Sequence, residues 1–186
     1  MRLFLAVKLP RQFQQDLSTR LDTIREQVRI GWTREENWHL TLMFLGEWPA
    51  DRLDSLSEAL NDVVAGHDAF SLQPGVVGAF PGLKKPRVLF LHLDGGDPLR
   101  ALAADVREAV NRAWPEGPQD NKAFRPHLTL ARVKRPLLGP ESILLKTLDL
   151  GSWEKVPVSS VHLVESELLP RGPRYTDRAI LPLGGC

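Results

Sequence analysis

The four residues His39–Leu42, HLTL, return as HLTL at His127–Leu130, roughly 90 residues further along a 186-residue chain with little other self-similarity. The first copy lies in the apolar run from Trp38 to Leu45, bounded by Gly46 and Pro49, and reads as a β-strand. Strand side chains alternate between faces. Leu40 and Leu42 therefore point one way while His39 and Thr41 point the other, about 7 Å apart at the backbone. Leu128 and Leu130 part from His127 and Thr129 in the same manner. Each copy thus sends two leucines into a core and presents one imidazole and one hydroxyl on the opposite side. Solvent exposure explains a single strand histidine well enough. Two copies point to a shared cleft lined by two imidazoles and two hydroxyls.

Such a set suits phosphoryl transfer without a metal. A neutral histidine takes a proton from the attacking water or hydroxyl, and a protonated one gives a proton to the departing oxygen. An ordinary pKa of about 6.5 lets both states coexist near neutral pH. In-line displacement separates nucleophile from leaving group, so acid and base face each other across the phosphate. Thr41 and Thr129 are placed to donate hydrogen bonds to the equatorial oxygens. The motif is symmetric and does not say which histidine is the acid. No His-x-His or HExxH spacing joins the five histidines, so neither a metal site nor a cofactor is expected.

The composition, 42% hydrophobic and 25% charged, is that of an ordinary soluble globular protein, and the length suits one domain or two small lobes sharing a cleft. A net charge of +1 excludes a global basic field, so attraction for a polyanion must come from local clusters. Cys186 is the only cysteine, which excludes an intramolecular disulfide and suits a reducing cytoplasm. The opening MRLFLAVKLP is too short an apolar run for a signal sequence, and Lys8 interrupts it. The expectation is a soluble, cytoplasmic monomer with no membrane association.

Outward from the motifs, Arg2–Leu9 reads as a strand stopped by Pro10. A helix follows over about 11–28, with Phe13, Leu17, Leu21, Ile24 and Val28 on one face. A second helix over about 51–65 buries Leu53, Leu56, Leu60 and Val63, with Gly66 closing it. Strands from Phe70 and from Arg87 flank the turn-rich PGLKKP. A third helix over about 97–114 carries Leu99, Leu102, Val106 and Val110 inward, and the polar loop PEGPQDNKAF leads to the second motif. Two more strands, near 156–168 and 175–181, are broken by PRGP. This order favours an α+β fold with antiparallel sheet, and the repeated motif suggests two lobes of related build.

The blocks RLFLAV, WHLTLMFLGE, FPGLKKPRVLFL, FRPHLTLAR and LVESELLPRGPRY, in this order and spanning nearly the whole chain, resemble the 2H phosphoesterase superfamily. Within it they are most similar to the RNA 2',3'-cyclic phosphodiesterases once described as 2'-5' RNA ligases, the LigT or ThpR group. The resemblance implies a two-lobed, pseudo-twofold α+β fold, with antiparallel sheets flanked by helices around a central cleft. It implies metal-independent opening of a terminal 2',3'-cyclic phosphate to a 2'-phosphate. The substrate would be RNA with such an end (tRNA fragments among the candidates) or a cyclic nucleotide. It implies His39 as proton donor to the leaving 3'-oxygen and His127 as proton acceptor from water. Weak reverse 2'-5' joining would use the same residues. Two rivals stay open: a sibling enzyme acting on ADP-ribose cyclic phosphate or 2'-5' oligonucleotides, and an RNA-end binding or joining protein.

Three further residues are candidates for the substrate. Arg132 alternates onto the face opposite His127 in a regular strand, and only a bulge or a strand end would let it reach phosphate; a surface ion pair is the alternative. Phe4 lies opposite Leu3, Leu5 and Val7, where it could stack a base or simply pack. Tyr175, in PRGPRY with Arg171 and Arg174, could line the site. Lys84, Lys85 and Arg87 on a turn, with Arg125, Lys134 and Arg135 around the second motif, could steer an RNA backbone. His67, His92 and His162 read as structural or surface residues.

Overall fold

The computed structural model describes residues 1–117, 120, 123–170 and 172–184; Arg171, Cys186 and part of the polar loop before the second motif lie outside them. The elements are β1 (Arg2–Lys8), α1 (Arg11–Gln27), β2 (Gly31–Trp32), β3 (His39–Glu47), α2 (Leu53–Ala65), β4 (Phe70–Phe80) and β5 (Val88–Asp94). They continue as α3 (Gly96–Ala113), β6 (His127–Arg132), α4 (Gly139–Lys146), β7 (Val156–Val158), β8 (Ser160–Leu169) and β9 (Gly172–Pro182). Among the described residues, no helix is long and apolar enough to cross a membrane.

The strands pair antiparallel in the order β7-β4-β5-β6-β3-β1-β8-β9, with β2 added beside β6. This order is pseudo-symmetric about its middle, where the two HLTL strands meet with Leu40 directly opposite Leu128. One half runs β3-β1-β8-β9 and the other β6-β5-β4-β7. The chain reaches this pattern by repeating strand-helix-strand-helix twice, as β1-α1-β3-α2 and β5-α3-β6-α4. After each repeat the next long strand crosses over: β4 joins the second half and β8 the first.

Only Ser159 separates β7, paired to β4, from β8, paired to β1. A further bridge joins Asp68, just before β4, to Gly184, just after β9. The strand path therefore curls until its two ends approach each other. The apolar run expected as one strand over 156–168 is thus two strands serving opposite halves. The break falls where the chain must change partners, which alternation alone does not mark.

One face of the sheet carries the main core. Leu40, Leu42, Leu128 and Leu130 lie in it with Leu3, Leu5 and Val7, beneath the apolar faces of α1, α2 and α3. Each fully buried leucine contributes roughly 1.5–3 kcal/mol. The α1 stripe is as expected, Phe13, Leu17, Leu21 and Ile24 being buried with Val28 just beyond. In α2 the buried row is Leu56, Leu60 and Val64, four residues apart; Val63 and Leu53 are only half-buried at its edge. Gly66 closes this helix with φ −76°, so it supplies no left-handed cap. Helix α4 was not legible in the sequence, being eight residues long with Gly139 and Pro140 at its start. Glu141 holds it: the carboxylate accepts from Leu138 N–H at 2.8 Å and from Arg135 at 2.8 and 2.5 Å. Arg135 also donates to the Arg29 carbonyl, tying this helix to the end of α1.

Candidate active site

The opposite face of the sheet carries His39, Thr41, His127 and Thr129, each part-exposed beside fully buried leucines. With Leu40 opposite Leu128, the antiparallel register sets His39 across from Thr129 and Thr41 across from His127. The two imidazoles are diagonal neighbours over one strand pair, a relation that spans about 7–8 Å. They lie close enough for a charge on His127 to disfavour one on His39.

Directly after each motif the strand bulges. Opposite Leu5 and Ala6 of β1, β3 supplies Met43 and Thr41, leaving Leu42 as an extra residue. Opposite Leu89 and Phe90 of β5, β6 supplies Ala131 and Thr129, leaving Leu130 extra. An inserted residue reverses the facing of everything beyond it. Met43 and Ala131 therefore join the core, and the residues five places after the histidines, Phe44 and Arg132, turn onto the site face. Arg132 was expected on the wrong side of a regular strand, and the bulge brings it round. It is close enough to His127 and Tyr175 for its charge to favour neutral imidazole and ionised phenol. Phe44 was missed. It is 57% exposed, although its place, matching that of Arg132 in the other motif, is a signal the sequence contained.

Both imidazoles are held alike. Nδ1–H of His39 donates to the Asn37 carbonyl at 2.7 Å, and that of His127 to the Arg125 carbonyl at 2.6 Å. A carbonyl can only accept, so each neutral ring carries its proton on Nδ1 and leaves Nε2 as the unprotonated nitrogen. The surroundings differ. His39 is wedged against Phe4 (centroids 4.9 Å) and Tyr175 (5.3 Å, edge-on). Burial lowers its pKa to about 4; the Asn37 carbonyl opposes this, and Lys8 and His127 add to it. His127 sits edge-on to Phe80 (5.1 Å) and Phe90 (5.5 Å), and is also lowered, by burial first and then by Arg132 and His92, against the Arg125 carbonyl. Phe80 and Phe90 stack at 4.3 Å, which Gly78 permits: a Cβ there would lie 2.6 Å from the Phe90 ring.

Phe4 is 3% exposed and forms, with Ala6 and Val164 beneath Tyr175, a small second core under His39. Its accessible surface is slight, and its contacts are with His39, Phe44 and Tyr175. Tyr175 is half-buried, and burial raises its phenol pKa against the pull of Arg132 and Arg2. The structure thus gathers all seven candidates (His39, Thr41, His127, Thr129, Arg132, Phe4 and Tyr175) on one face. His92, exposed, pairs across from His127, while His162 lies beside Asp177 and Ser160. His67 bridges to Asp105 of α3 at 3.0 Å, away from the motifs.

Residues 13–168 match the 2'-5' RNA ligase superfamily, and relatives more than 30% identical cover nearly the whole chain. This chain belongs to that superfamily. It is 32% identical over 178 residues to the RNA 2',3'-cyclic phosphodiesterase of Archaeoglobus fulgidus, covering 95% of this chain and 97% of that one. The enzyme of the same name from Thermus thermophilus is 36% identical over 186 residues, covering 95% and 87%. Among solved structures, one from Thermus thermophilus superposes with a TM-score of 0.85 at 30% identity, over 100% of this chain and 99% of that chain. E. coli LigT complexed with 3'-AMP superposes with a TM-score of 0.73 at 25% identity, over 98% and 97%.

Proposed function

We propose that this protein hydrolyses the 2',3'-cyclic phosphate at the end of an RNA chain, leaving a 2'-phosphate, by paired general acid and base catalysis. The observation that carries the reading is the pair of bare Nε2 atoms, held diagonally across one strand pair by matching Nδ1–H bonds. The names of the relatives supply the substrate class. His127 takes a proton from water as its oxygen attacks phosphorus, the P–O3' bond breaks, and His39 delivers a proton to the departing 3'-oxygen. The water oxygen stays on the 2'-phosphate. Thr41, Thr129 and Arg132 hold the non-bridging oxygens, while Phe44 and Tyr175 face the nucleoside.

His39 needs help to act as the acid, because its burial favours the neutral ring. The substrate provides it. A phosphodiester anion about 4 Å away, at an effective dielectric of about 20, favours the imidazolium by about 4 kcal/mol, or about three pKa units. That brings His39 from about 4 to near neutrality once substrate is bound. Reverse joining to a 2'-5' bond follows from the same groups run backward and should be weak in water.

The test is product analysis by phosphorus NMR with a 2',3'-cyclic nucleotide and with a cyclic-ended oligonucleotide. A 2'-phosphate from both is expected, with roughly 10²–10⁴-fold loss on His39→Ala or His127→Ala. A 3'-phosphate product would refute the assignment of the leaving oxygen. Tight binding without turnover would make the protein a holder of RNA ends, and preference for ADP-ribose cyclic phosphate would move it to a sibling activity.

A further inference from the structure

The cations around the cleft fall into two groups that composition does not separate. In the first half Lys8 and the β9 arginines have acidic partners, and Arg2, whose charge reaches Tyr175, is the one strand cation there without an ion pair among the described residues. Lys8 meets Asp177 at 2.8 Å, Arg174 meets Glu167 at 2.5 Å, and Arg178 meets Glu165 at 2.5 Å. In the second half the pattern reverses. Lys84, Lys85, Arg87, Arg132 and Lys134 are all exposed, and none has an ion pair with an acidic side chain among the described residues. Arg135, next in sequence, is excluded because Glu141 and the Arg29 carbonyl occupy it.

These five share one end of the sheet. Val88 pairs with Arg132, Arg87 N–H donates to the Phe80 carbonyl at 2.8 Å, and Val133 N–H donates to the Arg87 carbonyl at 2.9 Å. The turn between β4 and β5, which carries Lys84 and Lys85, is thereby fastened beside the end of β6 that carries Arg132 and Lys134. Arg125 lies beyond the opposite end of β6 and does not belong to the group. A net charge of +1 makes five unpaired cations at one end of the second half, against Arg2 alone on the strands of the first, informative.

We infer that the RNA chain preceding the reacting end leaves the cleft over the second half, past Arg132 and across the β4–β5 turn, with Lys84, Lys85, Arg87 and Lys134 against its phosphates. This rests on the RNA-end reading above and adds a direction to it. A mononucleotide, its phosphate between the histidines and its nucleoside against Phe44 and Tyr175, would not reach the turn. The track therefore discriminates a polynucleotide from a cyclic nucleotide through KM, and it does so through counterion release. Single strands give a salt slope of about 0.7 per neutralised phosphate, so two lysines account for about a sevenfold change in affinity between 50 and 200 mM salt.

The experiment compares the wild-type protein with K84A/K85A on a cyclic-ended oligonucleotide of about ten residues and on a cyclic mononucleotide, at both salt concentrations. The expected result is a higher oligonucleotide KM at low salt, a salt response smaller by about sevenfold, and unchanged mononucleotide turnover. Arg178→Ala, which removes a paired cation of the first half, serves as the control and should leave the salt response alone. Unchanged oligonucleotide KM in K84A/K85A would overturn the track while leaving the reaction intact. Parallel loss on both substrates, or a larger effect from Arg178→Ala, would also overturn it. If the wild-type protein turned over neither substrate, the RNA-end reading would fall first and the track with it.

Discussion

Replacing His39 with asparagine (His39→Asn) keeps a side-chain N–H to donate to the Asn37 carbonyl but removes the titrating ring. In the unfolded chain His39 protonates near pH 6.5; in the folded protein burial postpones that to about pH 4. The folded state therefore binds fewer protons than the unfolded one between these values. The associated stability is fully present above about pH 6.5 and is lost as pH falls toward 4. At 1.36 kcal/mol per unit, the loss between pH 7 and pH 4.5 is about 2.5 kcal/mol, and about 2 kcal/mol after allowing for water at the open edge of the part-exposed ring. Urea unfolding followed by fluorescence of the five tryptophans, at both pH values, measures it. Carboxylates titrate in both proteins, so the difference between them isolates His39. The wild type should lose about 2 kcal/mol more than the variant on acidification. Equal losses would show that the ring is not desolvated in solution and would remove the basis for the substrate-assisted acid.

The same electrostatics separates two pH profiles. kcat/KM reports the free enzyme, with both histidines below their ordinary range, whereas kcat reports the complex, where the phosphate raises both; the kcat optimum should lie at higher pH, and coincident optima would refute the anion's role. Phe44→Ala should raise KM for a purine cyclic nucleotide by about 5–100-fold, the worth of one stacked base, with little change in unfolding midpoint. Phe4→Ala, by contrast, opens a cavity under His39 and should cost about 3–5 kcal/mol of stability. Gly78→Ala forces a Cβ to within 2.6 Å of the Phe90 ring, tilting the stack beneath His127; kcat should fall by about tenfold to a hundredfold, with the His127 resonance displaced in proton NMR. Turnover should persist in EDTA, since the proposed reaction assigns the acid, the base and the oxyanion donors to side chains of this chain; loss that added divalent cation restores would contradict this.

Much of the candidate site was legible because β-strand alternation is a local property. The pattern His-Leu-Thr-Leu separates core from cleft in either copy with no knowledge of what lies beside it. Helix stripes such as Phe13, Leu17, Leu21 and Ile24 were legible for the same reason. The failures share a cause as well. The bulges at Leu42 and Leu130 arise from pairing with β1 and β5, so strand alternation alone could not bring Arg132 or Phe44 onto the site face. The short helix α4 depends on an ion pair between Arg135 and Glu141 more than on an apolar stripe. The split of 156–168 into β7 and β8 depends on which strands wait on either side.

What the sequence by itself determined was the candidate set: two imidazoles, two hydroxyls, and the leucines that orient them, since alternation and side-chain type are carried by neighbours in the chain. The tertiary structure decided their relation. It paired Leu40 with Leu128, which sets the histidines diagonally across one strand pair at the join of two half-sheets. It also decided their inequality. Identical motifs fold to matching Nδ1–H bonds, yet His39 is enclosed by Phe4 and Tyr175 while His127 lies beside Arg132 and the Phe80–Phe90 stack. Phe4, Tyr175, Phe80 and Phe90 come from β1, β9, β4 and β5, distant in sequence, and Arg132 is turned toward His127 by the bulge in their shared strand; a proton's affinity for a ring depends on whatever surrounds it.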